Sequence, residues 1–121
     1  MTDKVLLAIA STLEAVTGVG LIIAPTMVRS LLGTDISGAA LVIARMTGCG
    51  LLLIGIACWP RVEGTASRVC AMLIYNLLAT FYLGYRRFGS ESVGKLLLPA
   101  FAVHAALAIL FIGVWSKHLT T

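Results

Sequence analysis

Between Ala39 and Trp59 the chain reads AALVIARMTGCGLLLIGIACW, nearly all apolar with one arginine inside. A stretch of about twenty such residues spans the hydrocarbon core of a bilayer. Four segments of this kind take up most of the 121 residues. No connection between them is long enough to fold as a soluble domain. Only 12% of the residues are charged and 60% are hydrophobic, whereas a soluble domain carries about 25% charged residues. The formal charge of +4 is spread over helix ends, where Lys and Arg meet headgroups. That pattern does not suggest nucleic acid.

The expected fold is all-α, an integral membrane bundle of four antiparallel transmembrane helices in a single domain, 1–121. The helices are expected at about 4–24, 38–59, 68–88 and 93–117. Asp3 is the expected N-cap of the first, and Pro25 ends it. Ser37 and Ser92 are candidate caps for the second and fourth. Pro99 falls in or just after the first turn of the last helix, where it starts or kinks it. In the connection between the first two spans, Met27, Val28, Leu31 and Leu32 fall on one side of a short interfacial helix that Gly33 can cap. An ordinary apolar loop is the alternative reading. Lys4 and Ala8-Ile9-Ala10 imitate a signal peptide, but the apolar run before the cleavage site, about five residues, is too short for an h-region. The segment is read as a mature first helix.

Such a bundle puts both termini and the Pro60–Ser67 loop on one side, with Trp59 and Trp115 at that interface. Lys4, Arg61, Arg68 and Lys117 then balance Arg29, Arg86, Arg87 and Lys95 on the other. The positive-inside rule therefore selects no orientation.

Each span contributes one strongly polar side chain near mid-membrane. At a rise of about 1.5 Å per residue, Glu14 lies about 15 Å from the terminal side, Asn76 about 12–13 Å, Arg45 about 20 Å and His104 about 15 Å. Tyr75 and Thr17 are candidates to join them. Ionisable residues inside membrane helices face the bundle interior and pair with one another, so Arg45 is expected to pair with Glu14. The neighbours of Glu14 at three and four residues are Ala10, Ser11, Thr17 and Gly18, small or hydroxylated. That face points to protein rather than lipid.

Two readings of this layer stand side by side. In one it is a polar pocket that binds or moves a small ligand or a proton. Arg45 is then the fixed cation, Glu14 its counter-ion and proton carrier, and Asn76 and His104 the orienting groups. In the other the chain is an accessory or structural subunit, with the Glu14–Arg45 pair as glue between helices. An enzyme on a lipid-like substrate rests only on Glu14 and His104 as acid–base groups.

No cofactor is implied. His104 and His118 share one helix about 21 Å apart, too far for a shared haem. Zinc ligand spacing, phosphate-cradling loops and hydrolase motifs are absent from the sequence. The three cysteines have no metal-like spacing. Cys49 is read as a small packing residue within the second helix, and Cys58 and Cys70 flank one loop, which leaves a disulfide open. The partners implied are the lipid bilayer, further copies of the chain in a homo-oligomer, or a larger membrane-protein complex.

Two resemblances follow from these residues. With four short helices and Glu14 within LEAVTG, the chain looks like small multidrug resistance transporters, in which a membrane-embedded glutamate exchanges protons for cationic drugs in a dimer. Its third segment, MLIYNLLATF, lacks that family's tryptophan and glycine pattern, and Arg45 would neutralise the glutamate. The likeness is not adopted. The chain also resembles the small bacterial four-helix membrane proteins called DoxX-like, in helix number, helix length and the arginine of ARMTG near the start of the second span. That resemblance implies a four-helix fold in the bacterial inner (cytoplasmic) membrane, and little about activity.

Overall fold

The computed structural model describes residues 1–26, 38–89 and 94–120. The expected short helix at Met27–Leu32, its Gly33 cap and the Ser37 and Ser92 caps fall outside them. The described residues form four helices: α1 (Asp3–Ile23), α2 (Ala39–Ala57), α3 (Thr65–Gly89) and α4 (Leu97–Thr120). All four are long and apolar enough to cross a membrane. The chain is an all-α helix bundle with the make-up of a multi-pass membrane protein.

Helix ends differ from expectation by local chemistry. Thr2, not Asp3, is the N-cap of α1, and its hydroxyl accepts from the backbone N–H of Val5. Asp3 becomes the first-turn acid, where the helix dipole favours a negative charge. Gly38 precedes α2 with a φ of 53°, left-handed backbone that suits glycine. α4 starts at Leu97, and Pro99 sits in its first turn. The missing N–H there removes no intrahelical bond.

The helices pack as two close pairs. In the α1–α2 pair the backbones nearly touch. A Cβ on Gly18 would stand 2.6 Å from the Gly48 carbonyl oxygen, and one on Gly55 would stand 2.7 Å from that of Ser11. Contacts therefore descend along α2 as they ascend along α1. In the α3–α4 pair Gly84 makes room for the Phe101 ring, which meets Phe88 edge-on at 5.9 Å. α1 is the bridge, touching both α3 and α4, whereas α2 packs mainly on α1.

The core lies where α1, α3 and α4 meet, toward the end that carries both termini. Leu6, Leu7 and Ala10 of α1 pack with Val69, Met72 and Leu73 of α3, and with Leu107, Phe111 and Val114 of α4. Residues three or four apart share a helix face. One turn beyond this core, the same stripes carry Glu14 (four after Ala10), Asn76 (four after Met72) and His104 (three before Leu107). The polar layer is thus seated on an apolar floor. Cys58 closes the core from the end of α2, and Cys49, Cys58 and Cys70 are all free. No disulfide joins Cys58 to Cys70, and Cys49 is exposed on the surface of α2 rather than packed inside.

Candidate functional site

Glu14 is buried at 3% exposure on α1, and Asn76 is fully buried on α3. The Tyr75 hydroxyl donates to Glu14 Oε2 at 2.9 Å. The other carboxylate oxygen, Oε1, lies 3.9 Å from His104 Nδ1. The Tyr75 ring also packs edge-on against the His104 imidazole, 5.7 Å between centroids. Tyr75 therefore touches both ionisable members of the layer.

Asn76 settles which ring nitrogen of His104 carries hydrogen. Its side chain meets the Met72 carbonyl oxygen at 2.8 Å. A carbonyl only accepts, so the amide NH2 points there. Oδ1 is left facing His104 Nδ1 at 2.9 Å. Oδ1 also only accepts, so Nδ1 is the protonated nitrogen and Nε2 is bare in the neutral ring. Thr80 donates to the Asn76 carbonyl at 2.7 Å and steadies the same turn. Four side chains from three helices thus form two hydrogen-bonded pairs, Tyr75–Glu14 and His104–Asn76, that meet at the 3.9 Å approach of His104 to Glu14.

Of the six residues expected in the layer, Glu14, Tyr75, Asn76 and His104 come together. Thr17 does not. It is exposed, and its hydroxyl bonds back to the Leu13 carbonyl one turn earlier in its own helix.

The expected Glu14–Arg45 ion pair does not form, for two reasons. The first is register. Gly48 packs at Gly18, Leu21 and Ile22, while Gly55 packs at Ser11 and Ala15. Arg45 is therefore level with the end of α1, and ten residues of α2, about 15 Å of rise, separate it from the turn facing Ser11 and Ala15, which flank Glu14. The second is direction. Side chains tilt toward the N-terminus of their helix, and for Arg45 that points away from Glu14. Arg45 is exposed and makes no hydrogen bond or ion pair with any described residue. The counter-groups to Glu14 are a tyrosine and a histidine.

Polar contacts outside the layer were not legible from the sequence. His118 Nε2 meets Asp3 Oδ2 at 2.9 Å, tying the start of α1 to the end of α4. Arg68 reaches back to the carbonyls of Ala57 and Glu63 and closes the α2–α3 turn. The Ser11 hydroxyl is buried with no hydrogen-bond partner. A groove of about 420 Å³ between α1 and α2 is lined by Ser11, Ala15, Gly55 and Trp59 among others, and a second of about 240 Å³ by Leu6, Leu110 and Lys117 among others. Neither is lined by Glu14, Tyr75, Asn76 or His104. Among the described residues no cluster of His, Cys, Asp and Glu is placed to hold a metal ion.

No protein-family model, curated protein or solved structure matches the chain.

Proposed function

We propose that this is a small protein of the bacterial inner membrane that takes up and passes a proton at the Glu14–His104 pair. The observation that supports it is the 3.9 Å approach of His104 Nδ1 to Glu14 Oε1 across α1 and α4. Both groups exchange protons, and intramembrane ionisable residues mark proton relays. In the sequence of steps, Nε2 of His104 takes up a proton. The imidazolium then releases the Nδ1 proton from Asn76 Oδ1 to Glu14 Oε1. This leaves a bare Nδ1 facing Oδ1, two acceptors in contact; the cycle closes when Glu14 releases its proton to the other side and the neutral ring returns from the Nε2–H to the Nδ1–H tautomer. Tyr75 keeps its bond to Oε2 throughout. The DoxX-like layout supports the choice of membrane.

The pair is tested in proteoliposomes that trap a pH-sensitive dye. An acid step outside should drive proton entry with the wild-type chain. Glu14→Gln and His104→Asn should each reduce entry to that of protein-free vesicles. Unchanged entry in Glu14→Gln overturns the proposal.

A second reading, an accessory or structural subunit, is favoured by a different observation. α1 meets α3 and α4 far less extensively than it meets α2, and the Glu14–Tyr75 bond joins the two helix pairs beside the apolar core and the Asp3–His118 contact. On that reading Glu14→Gln lowers assembly and leaves proton entry at its wild-type level per folded molecule.

A further inference from the structure

We propose that Arg45 binds the phosphate of an anionic phospholipid on the outer face of α2. Arg45 lies in a membrane span, is exposed, and makes no hydrogen bond or ion pair with any described residue. The exposed residues around it, Val42, Ile43, Met46 and Cys49, are suited to acyl chains. A guanidinium left among lipid tails is costly, and snorkelling to the interface relieves that cost.

Two observations and the general geometry of helical side chains identify the occupant. Arg45 is the seventh residue of α2, about 9 Å from its start. The helix register places Gly48 at Gly18, Leu21 and Ile22, so Arg45, three residues nearer the start of α2, is level with the end of α1 at Ile23. Its side chain tilts toward the N-terminus of α2 and so toward that same boundary. The guanidinium therefore reaches the level of lipid phosphates, and its planar fork matches phosphate oxygens. A second copy of the chain offers no free described carboxylate at this level. Asp3 is bonded to His118 at the terminal end, Glu14 is buried under Tyr75, and Glu63 lies in the α2–α3 turn.

The test is native mass spectrometry of the full chain from micelles doped equally with phosphatidylglycerol and phosphatidylcholine. The wild type should carry phosphatidylglycerol in preference. Arg45→Gln should weaken that preference about fivefold, the effect of one basic residue near an anionic headgroup. Arg45→Lys should keep most of it. Arg61→Gln, which removes an equal charge from the other end of α2, should leave it unchanged. Excess glycerol phosphate should not displace the lipid. The proposal is overturned if Arg45→Gln keeps the preference, if Arg61→Gln loses it equally, if glycerol phosphate competes, or if lipid-free dimers form instead. Photo-crosslinking with a headgroup-diazirine phosphatidylglycerol tests the wild type directly. Label beside Arg45 on α2 supports the contact, and label confined to other helices overturns it.

Discussion

The Tyr75 hydroxyl donates to Glu14 Oε2 at 2.9 Å, joining α3 to α1 at the level where the apolar core ends. A buried acceptor that loses its donor costs about 1–3 kcal/mol. Tyr75→Phe should keep the ring contact with His104 and still lower thermal stability in detergent by that order. An unchanged melting temperature would mean that Glu14 finds another donor.

Asn76 orients His104 by accepting its Nδ1–H at Oδ1 while its own amide N–H donates to the Met72 backbone carbonyl. Nitrogen NMR of histidine-labelled protein at a pH where the ring is neutral should show hydrogen on Nδ1 and a bare Nε2. Asn76→Leu should remove this preference and give a mixture of tautomers. Retention of the Nδ1–H form in the variant would show that Glu14, not Asn76, orients the ring.

The α1–α2 contact predicts opposite outcomes for two glycines two residues apart. A Cβ on Gly18 would press on α2 backbone at 2.6 Å, and one on Gly20 would meet nothing within 4 Å. Alanine raises helix propensity by about 1 kcal/mol, but overpacking against rigid backbone costs about 1–3 kcal/mol. Gly18→Ala should destabilise the fold, while Gly20→Ala should be neutral or stabilising. Paired unfolding curves read the difference.

These stripes explain what was legible in the sequence. Glu14, Asn76 and His104 are the strongly polar side chains of their spans, so depth counting finds them, and each stands one helical turn from core residues on its own helix. Tyr75 was found with them because it adjoins Asn76. Arg45 and Thr17 were misplaced because depth along a helix says nothing about the register between helices. That register is set by Gly18, Gly48 and Gly55, whose effect depends on which backbone each one meets. Thr17 adds a local competitor, since a threonine hydroxyl readily bonds the carbonyl four residues back. The Asp3–His118 contact joins opposite ends of the chain and carries no local pattern.

Ser11 offers a test of the apolar floor beneath the layer. Its hydroxyl is buried at 1% residue exposure without a partner. Burying an unpaired hydroxyl is unfavourable by about 1–3 kcal/mol. Ser11→Ala should therefore leave stability unchanged or raise it. A loss of 1 kcal/mol or more in unfolding experiments would reveal a partner for the hydroxyl.

The most direct test of the Glu14–His104 relay is infrared difference spectroscopy of the reconstituted chain across a pH step, in wild type and Glu14→Gln. The account predicts a carboxyl band that rises as imidazole bands change, with the carboxyl band lost in Glu14→Gln. A wild-type spectrum with no Glu14 carboxyl change over the range in which His104 titrates would contradict it and leave the layer a structural tie.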